Sequence, residues 1–192
     1  MKHSIFSVGF FVLISVILIA CDSPAGPVVL FEEGDPDWTS AGDADWSFSG
    51  SELIAEIDSG ASFAITKTVF DNFELTVEFF PDSTINSGVF LRCKGQMISD
   101  TSCYELNISD YHPMPQNRSG SIVNRAGPAA TVSTIGQWNQ YRVRAEGSNI
   151  RVWLNGVQTA ELTDDQIAQG HVGLQALGKG VIRFRNAKLQ KL

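Results

Sequence analysis

The segment from residue 86 to residue 110, NSGVFLRCKGQMISDTSCYELNISD, constrains the fold more than any other part of the chain. It predicts two strands, Gly88–Cys93 and Cys103–Ser109, joined by a polar loop of nine residues. Hydrophobic residues occupy alternate positions in both strands. A period of two with one apolar face is typical of a half-buried antiparallel strand. The segment therefore predicts a β-hairpin that packs one face against a core.

The second face of this hairpin carries a guanidinium, a carboxylate and an amide, from Arg92, Glu105 and Asn107. One interpretation is a solvated outer face with a chance ion pair, since isolated surface pairs are common and contribute little stability. The other interpretation is a functional surface.

The rest of the chain repeats the strand pattern. Short alternating segments recur about every ten residues with turn signals between them, which favours an all-β sandwich of two antiparallel sheets. The strands expected outside the first hairpin are 53–57 and 61–67, which would pair as a second hairpin, and then 73–80, 120–124, 130–134, 141–146, 150–155 and 181–189. Residues 171–175 alternate in the same way, with His171, Gly173 and Gln175 on one face and Val172 and Leu174 on the other. At most one short helical turn is expected, at 164–169, because residues 163–166 fit a capping box. A single domain is expected at this length.

The charge pattern excludes one class of partner. The formal net charge is −7 and the chain has no basic cluster, so we expect no nucleic-acid binding, which needs concentrated Lys and Arg. The acidic segment 28–46 is interpreted as a solvated loop. Its carboxylates could also hold calcium, although the EF-hand spacing is absent.

The N-terminal residues are typical of an export signal. Lys2 precedes an apolar run at 5–19, which is too short for a confident membrane span. The run ends in LIAC, which resembles the bacterial lipobox and predicts lipidation of Cys21. We therefore divide the chain into a lipoprotein signal peptide (1–20), a lipidated cysteine with its tether (21–29) and one sandwich domain (30–192). The predicted location is the bacterial cell envelope, lipid-anchored to the membrane at the periplasmic face or the cell surface. An ordinary secretory signal is the alternative.

Two cysteines remain if Cys21 is lipidated. Cys93 and Cys103 lie at the two ends of the hairpin loop, and an exported protein meets an oxidising compartment, so a disulfide is predicted. It would stabilise the fold by about 2–3 kcal/mol in the chain-entropy model. Two buried free thiols are the alternative. Two cysteines alone are too few for a usual zinc site.

Several ordered motifs resemble one known family. NSGVFLR followed by YELNISD is similar to the paired motif of the family formerly called DUF1080, now described as 3-keto-glycoside lyase/hydratase or 3-keto-disaccharide hydrolase domains. Further matching pieces follow in order: NFELTVEFF, GQWNQYRVRAEG, IRVWLNG, GHVGLQ and VIRFRNAKLQKL. The resemblance covers roughly residues 45 to 192 and implies a concanavalin-like, jelly-roll β-sandwich.

The resemblance also implies a chemistry. The family acts on glycosides already oxidised at C3, where the ketone acidifies the C2 proton and the C1 substituent leaves by elimination before water adds back. We expect four catalytic residues, Arg92, Glu105, Asp110 and His171. Glu105 or His171 would be the base and Arg92 would steady the enolate. Asp110 would orient a partner or ligate a divalent metal ion, the one candidate cofactor. His171 has a structural or exposed role as its alternative.

Three further residues are predicted to bind the sugar. Asn107 and Gln175 would contact hydroxyl groups, and Trp153 would stack on a pyranose ring. A tryptophan that simply lies across the sheet surface is the alternative for Trp153. A non-catalytic carbohydrate-binding module is the alternative function, and a structural envelope protein is a third.

The chain departs from the family pattern in three places. Ala176-Leu177-Gly178 stands where relatives often have Asp-His-Gly, Asn107 replaces a glutamine, and Val123 replaces a tyrosine. Because of these departures, the alternatives include a family member that binds carbohydrate without catalysis and one that acts on an altered substrate.

Overall fold

The computed structural model describes residues 26–192, which form a β-sandwich. The described residues contain thirteen strands and one short 3-10 turn, Pro115–Asn117. The strands are β1 Val28–Val29, β2 Trp38–Gly42, β3 Asp45–Ser49, β4 Glu52–Ile57, β5 Ala61–Thr66, β6 Phe73–Pro81, β7 Asn86–Cys93, β8 Tyr104–Ile108, β9 Asn139–Glu146, β10 Asn149–Leu154, β11 Val157–Thr163, β12 His171–Leu177 and β13 Gly180–Lys191. The predicted fold class is confirmed.

Two antiparallel sheets face each other. One has eight strands in the order β11-β10-β9-β6-β13-β4-β3, with β1 pairing the far end of β13. The other has five strands in the order β2-β5-β12-β7-β8. The predicted hairpin of residues 88–109 is the β7–β8 edge of this five-stranded sheet, and its register pairs Val89 with Leu106.

The core lies between the sheets and is built by the predicted alternation. Along β6, every second residue is buried, from Phe73 to Pro81. The five-stranded sheet contributes Val89, Leu91, Leu106 and Leu174 to the same core. Because successive residues of a strand point to opposite sides, the residues between these core positions lie on the outer face of the sheet.

The N-terminal part of the domain is more structured than expected. Segment 28–46, interpreted as a loop, contains β1, β2 and the start of β3. The expected hairpin of 53–57 with 61–67 is also wrong. β4 pairs with β3 and β13, whereas β5 pairs with β2 and β12 in the other sheet. A turn signal fixes where the chain bends, but only the packing of the two sheets decides whether the next strand stays in the same sheet.

Two further local predictions are wrong. Segments 120–124 and 130–134 form no named strands, although Ile122 makes isolated bridges to Leu106 and Ala126. No helical turn forms at 164–169. The Asp164 carboxylate accepts a hydrogen bond from Gln166 N, as a cap would, but it is also held by Arg125 at 2.7 Å. Tertiary contacts therefore outweigh the capping signal.

Within residues 26–192, no helix has the length and hydrophobicity to cross a membrane. The signal peptide at 1–20 and the lipidation of Cys21 lie outside the described residues.

Candidate active site

The outer face of the five-stranded sheet brings three predicted site residues together. Gln175 on β12 pairs with Gly88 on β7, and Gly88 pairs with Asn107 on β8, so these residues form a row across three strands. Glu105 lies two residues before Asn107 on the same strand and pairs with Phe90. The period of two places all of these side chains on one face.

These side chains line a pocket of about 240 Å³, which we call the site pocket. Its walls come from both the sheet and the loops beside it. It is lined by Phe63, Asn86, Phe90, Ile98, Ser99, Asp100, Glu105, Asn107, His112, Val123, Gln175 and Leu177. The pocket therefore combines two carboxyl groups, three amides and an imidazole with apolar walls.

The carboxyl group of Glu105 is electrostatically unusual. Burial, reinforced by the nearby negative charge of Asp100, raises its pKa from 4.5 to about 7. Desolvation disfavours the charged form of a carboxyl group, and a like charge acts in the same direction. A carboxyl group with a pKa near neutrality is suited to take up and return a proton.

Three amide oxygens in the pocket are buried without a hydrogen-bond partner in the described part of the chain. They are Oδ1 of Asn86, Oδ1 of Asn107 and Oε1 of Gln175. The orientation of Asn107 is fixed, because its Nδ2 donates to the carbonyl oxygen of Asn117. A flipped amide would place oxygen against oxygen, so Oδ1 of Asn107 must face the pocket as an acceptor. Leaving such acceptors unpaired is costly, and a ligand with hydroxyl donors would pair them.

A chain of hydrogen-bonded side chains behind the pocket holds one of its walls. Asn117 Nδ2 donates to Asn124 Oδ1 at 3.0 Å, and Asn124 Nδ2 donates to the Asp100 carboxylate at 2.8 Å. Asn124 adopts a positive φ of 58°, which asparagine tolerates better than most residues. This chain of contacts ties the position of Asp100 to that of Asn107.

The loop 94–102 covers the pocket from the other side. Its two ends are joined by a disulfide between Cys93 and Cys103. Within the loop, Ile98 lies on Gly173, because a Cβ atom at residue 173 would stand 2.6 Å from Cδ1 of Ile98. The bridge and this contact hold Ile98 and Asp100 near Glu105.

Arg92 does not join the site pocket, and the expectation that it shares a surface with Glu105 is wrong. It adopts a positive φ of 52° where the pairing of β7 with β12 shifts register, so its side chain leaves the strand alternation. The side chain is fully buried, and burial lowers the pKa of its guanidinium. It donates to the carbonyl oxygens of Asp71 (2.9 Å), Gly147 (2.7 Å) and Ile167 (3.2 Å). These contacts tie three loops together.

Asp110 and His171 lie outside the site pocket. Asp110 holds the neighbouring loops, since it accepts hydrogen bonds from Ser119 Oγ, Ser133 Oγ, Thr134 N and Thr134 Oγ1. His171 pairs with Cys93 at the disulfide end of β12, four residues before Gln175. Four residues of a strand span about 13 Å. The Nδ1 atom of His171 is buried without a partner among the described residues.

Trp153 lies on the outer face of the other sheet. It belongs to β10, and the guanidinium of Arg142 stacks 3.8 Å from its ring centroid. The sandwich therefore separates Trp153 from Glu105, and the structure does not bring the two to one site. Arg142 also contacts Glu74 at 3.4 Å. This geometry agrees with the alternative interpretation of Trp153, a tryptophan that lies across the sheet surface.

The site pocket contains residues that the sequence did not single out. Asn86 could have been found, because it lies two residues before Gly88 and shares its face. Asp100 and His112 lie in loops, where no periodicity indicates direction. Only the folded arrangement shows that they reach the pocket.

Comparison with known proteins identifies the family. A family described as the 3-keto-alpha-glucoside-1,2-lyase-like domain matches residues 26–190, which is most of the chain. The chain belongs to this family. No curated protein matches its sequence.

Solved structures show the same fold. A "Putative glycosyl hydrolase" from Parabacteroides distasonis ATCC 8503 is 28% identical, with a TM-score of 0.67 over 77% of this chain and 90% of that one. A second structure of the same description from that organism is 16% identical, with a TM-score of 0.71 over 81% and 88%. The carbohydrate-binding module CBM66 from Bacillus subtilis is 15% identical, with a TM-score of 0.65 over 81% and 96%. The last two likenesses concern the fold alone.

The three departures from the 3-keto-glycoside lyase motifs converge in space. Asn107, Val123 and Leu177 all line the site pocket. Ala176, by contrast, is buried in the core. Departures that are scattered over about seventy residues of sequence therefore meet in one pocket, which they make more apolar at residues 123 and 177.

The described residues do not fit a metal site of carboxylates, cysteines and histidines. Residues 26–192 contain no group of three or more such side chains that could hold a metal ion. Asp110, the residue expected to ligate one, is instead occupied by hydroxyl and backbone donors.

Proposed function

We propose that this protein acts on carbohydrate in the bacterial cell envelope and cleaves 3-keto-glycosides by elimination followed by hydration. One observation supports the proposal above the others. The carboxyl group of Glu105, with a pKa of about 7, shares a small pocket with buried amide oxygens that lack donors. Such a pocket offers both a base and acceptors for sugar hydroxyls. Membership of the 3-keto-alpha-glucoside-1,2-lyase-like family supports this choice of substrate. The likeness to the 28% identical "Putative glycosyl hydrolase" supports action on glycosides in general.

Glu105 would act first as the base. Its carboxylate takes the proton from C2 of the 3-keto sugar, and the C2–H electron pair forms the enolate, whose charge rests on the C3 oxygen. The enolate then collapses, the C1–O bond breaks, and the leaving oxygen takes a proton from the protonated Glu105 or from water. The products are an alcohol and a 1,2-unsaturated 3-keto sugar. Addition of water across C1 and C2 gives the free 3-keto sugar.

The amides would position the sugar for this step. Oδ1 of Asn107 and the amide groups of Asn86 and Gln175 are available to bind hydroxyl groups. The amide N–H groups of Asn86 and Gln175 are donors for the ketone oxygen, where negative charge develops. Because Asn107 is held by Asn117 and by its strand, it is ordered before the ligand arrives.

Proton exchange tests the enolate chemistry directly. A 3-keto-glucoside is incubated with the protein in D2O and followed by NMR. Deuterium entering C2, or release of the aglycone above a no-protein control, is the expected result. The matched variant Glu105→Gln keeps the shape of the side chain but lacks the base, and we expect it to abolish both signals. Unchanged turnover by this variant would refute the role of Glu105.

A non-catalytic carbohydrate-binding module is the second candidate. It is favoured by the placement of Arg92, which leaves no guanidinium among the residues that line the site pocket, and by the apolar Val123 and Leu177. A protein that binds the keto-sugar or a glycan, yet exchanges no C2 proton, would establish this function. Binding is measured by titration under the same conditions.

The envelope location and the lipid anchor on Cys21 are also part of the proposal. They are supported by the sequence LIAC after an apolar run. Replacing Cys21 with serine should move the expressed protein from the membrane fraction to the soluble fraction. Equal partitioning of both proteins would contradict the anchor.

A further inference from the structure

The charged groups that line the site pocket are of one sign. Glu105 and Asp100 both bring carboxyl groups to it, and the described residues that line it include no lysine or arginine. His112 is the remaining titratable residue of the lining, and its Nδ1 atom faces the backbone of Met114, 3.2 Å from N and 3.1 Å from O. A ligand therefore meets negative charge here without a basic side chain that offsets it.

The carboxyl group of Glu105 stands in the middle of a row of side chains. A Cβ atom at Gly88 would lie 3.0 Å from its Oε1 atom, and Gly88 pairs with Gln175 on one side and with Asn107 on the other. Because neighbouring strands are about 5 Å apart, the backbones of Gln175 and Asn107 are separated by about 10 Å, with the carboxyl group between them. Burial and the charge of Asp100 act on this carboxyl group, and no hydrogen bond from a described residue offsets them.

Two buried amide oxygens flank this carboxyl group. Asn107 is 2% exposed and Gln175 is 6% exposed, and within the described part of the chain neither Oδ1 of Asn107 nor Oε1 of Gln175 has a donor. Oδ1 of Asn107 is the pocket-facing atom, because Nδ2 donates to the carbonyl oxygen of Asn117. We call the carboxyl group of Glu105 and these two oxygens the acceptor cluster.

The acceptor cluster matches an ammonium group better than a hydroxyl group. A hydroxyl group has one donor and adds acceptors of its own, whereas an ammonium group has three N–H donors and no acceptor. Hydrogen bonds between ionised groups are also roughly twice as strong as those between neutral groups. A sugar that carries a carboxylate or a phosphate would instead meet like charge from Glu105 and Asp100, which disfavours its binding.

We propose that the acceptor cluster binds the ammonium group of an amino sugar, so that the substrate class of this protein is the 3-keto-glycoside of a 2-amino-2-deoxy sugar. The inference rests on the proposed function, which places C2 of the sugar beside Glu105, so that the substituent of C2 lies nearest the carboxyl group. Asn107, Gln175 and one carboxyl oxygen of Glu105 each accept one N–H. The other carboxyl oxygen remains free to take the C2 proton.

This binding mode couples the ligand to the protonation of Glu105. The titratable groups that face Glu105 are Asp100 from loop 94–102 and His112 from loop 110–118, while His171 of the neighbouring β12 lies about 13 Å along the strand from Gln175. Without ligand, the pKa of Glu105 is raised to about 7. An ammonium group in contact favours the carboxylate and lowers this pKa, so the preference for the amine should grow as the pH rises from 5 to 7.

The test compares three ligands that differ in charge. Methyl glucoside, methyl 2-amino-2-deoxyglucoside and methyl glucuronide are titrated calorimetrically against the purified full-length protein, with EDTA present so that no divalent cation competes. At pH 7 we expect the amino glycoside to bind about tenfold or more tightly than the neutral one. At pH 5 this preference should fall to about threefold or less, because Glu105 is then protonated. The glucuronide should bind most weakly at pH 7.

Matched variants assign the preference to the acceptor cluster. Glu105→Gln keeps the shape of the side chain and removes its charge, so the preference for the amine should fall to about twofold or less at both pH values. Glu161→Gln removes one charge from the surface of the other sheet, where Glu161 pairs with Arg151, and should keep the wild-type preference. Circular dichroism of each variant checks that the fold is intact.

The outcomes separate the substrate class from the proposed function. If the wild type binds the amino glycoside no more tightly than the neutral one, or if Glu105→Gln keeps the full preference, the amino-sugar inference is refuted. Deuterium exchange at C2 of a 3-keto-glucoside is measured independently and decides whether the proposed function stands in that case. If no glycoside binds and no exchange occurs, both fail together.

Discussion

The side chain of Glu105 lies directly over Gly88 on the neighbouring strand. A Cβ atom at residue 88 would stand 3.0 Å from Oε1 and 3.2 Å from Cγ of Glu105. The missing side chain at this position therefore makes room for the carboxyl group, between the amides of Gln175 and Asn107 that pair with Gly88 on either side.

The Gly88→Ala variant should displace this carboxyl group. We expect activity on a 3-keto-glucoside to fall by about tenfold or more, since a shift of 1 Å at a reacting group costs a large factor in rate. Stability should change by about 1 kcal/mol or less, because the backbone at residue 88 needs no positive φ. Turnover and urea unfolding measure the two effects. Gly95→Ala, where a Cβ atom meets nothing within 4 Å, is the control, and an equal loss in both variants would contradict the explanation.

The Glu105→Gln variant should change the pH dependence of stability. The pKa of Glu105 is raised from 4.5 to about 7 by folding, so the folded state binds the proton more tightly than the unfolded state. Its contribution to stability is present below pH 4.5 and is lost as the pH rises through 7. Glutamine does not titrate, so the variant should be more stable than the wild type at pH 8, by about 1–3 kcal/mol, and similar at pH 4.

Thermal or urea unfolding between pH 4 and pH 8 measures this difference. Glu161→Gln is a suitable control, because Glu161 is a surface residue paired with Arg151 and its pKa is lowered. Parallel stability curves for the wild type and Glu105→Gln would show that Glu105 titrates as an ordinary surface carboxyl group.

The Arg92→Met variant should be less stable than the wild type but should keep its affinity for sugar. The guanidinium satisfies the carbonyl oxygen of Ile167 in a buried contact and those of Asp71 and Gly147 in partly buried contacts, and a buried acceptor left unpaired costs about 1–3 kcal/mol. We expect a total loss of about 2–4 kcal/mol in urea unfolding. The folded fraction should bind sugar with unchanged affinity, since Arg92 does not line the site pocket.

Arg151→Met provides the comparison for this loss. Arg151 forms an exposed ion pair with Glu161 at 2.9 Å, which should contribute less than about 1 kcal/mol. If Arg92→Met were as stable as Arg151→Met but lost sugar binding, the structural role assigned to Arg92 would be wrong.

Removal of the disulfide should affect both the fold and the site. The Cys93→Ala/Cys103→Ala variant should be less stable by about 2–3 kcal/mol, from the loop-closure entropy of the unfolded chain. Loosening of the loop 94–102 would also move Ile98 and Asp100 away from the pocket. With less burial and less like charge, the pKa of Glu105 should fall from about 7 towards 4.5.

NMR titration of the Glu105 side-chain carbon measures this shift, and urea unfolding measures the stability. Met97→Ala, an exposed position in the same loop, controls for changes in loop sequence. A stable variant with an unchanged pKa would mean that the bridge does not hold the wall of the pocket.

The sequence by itself determined the fold class and three of the residues that line the site pocket. Alternation at a period of two placed Val89, Leu106 and Leu174 in the core, and with them it placed Glu105, Asn107 and Gln175 on the outer face. This works because the direction of a side chain in a regular strand is set by its position alone.

The tertiary structure alone decided the rest. Arg92 adopts a positive φ and its side chain is buried in the interior. Trp153 lies on the opposite sheet, and β4 and β5 belong to different sheets although only a short turn separates them. The tertiary structure also brought Asp100 and His112 from loops into the site pocket. No local pattern encodes these outcomes, because a bulge, a crossover and a loop contact are selected by the packing of segments that are distant in sequence.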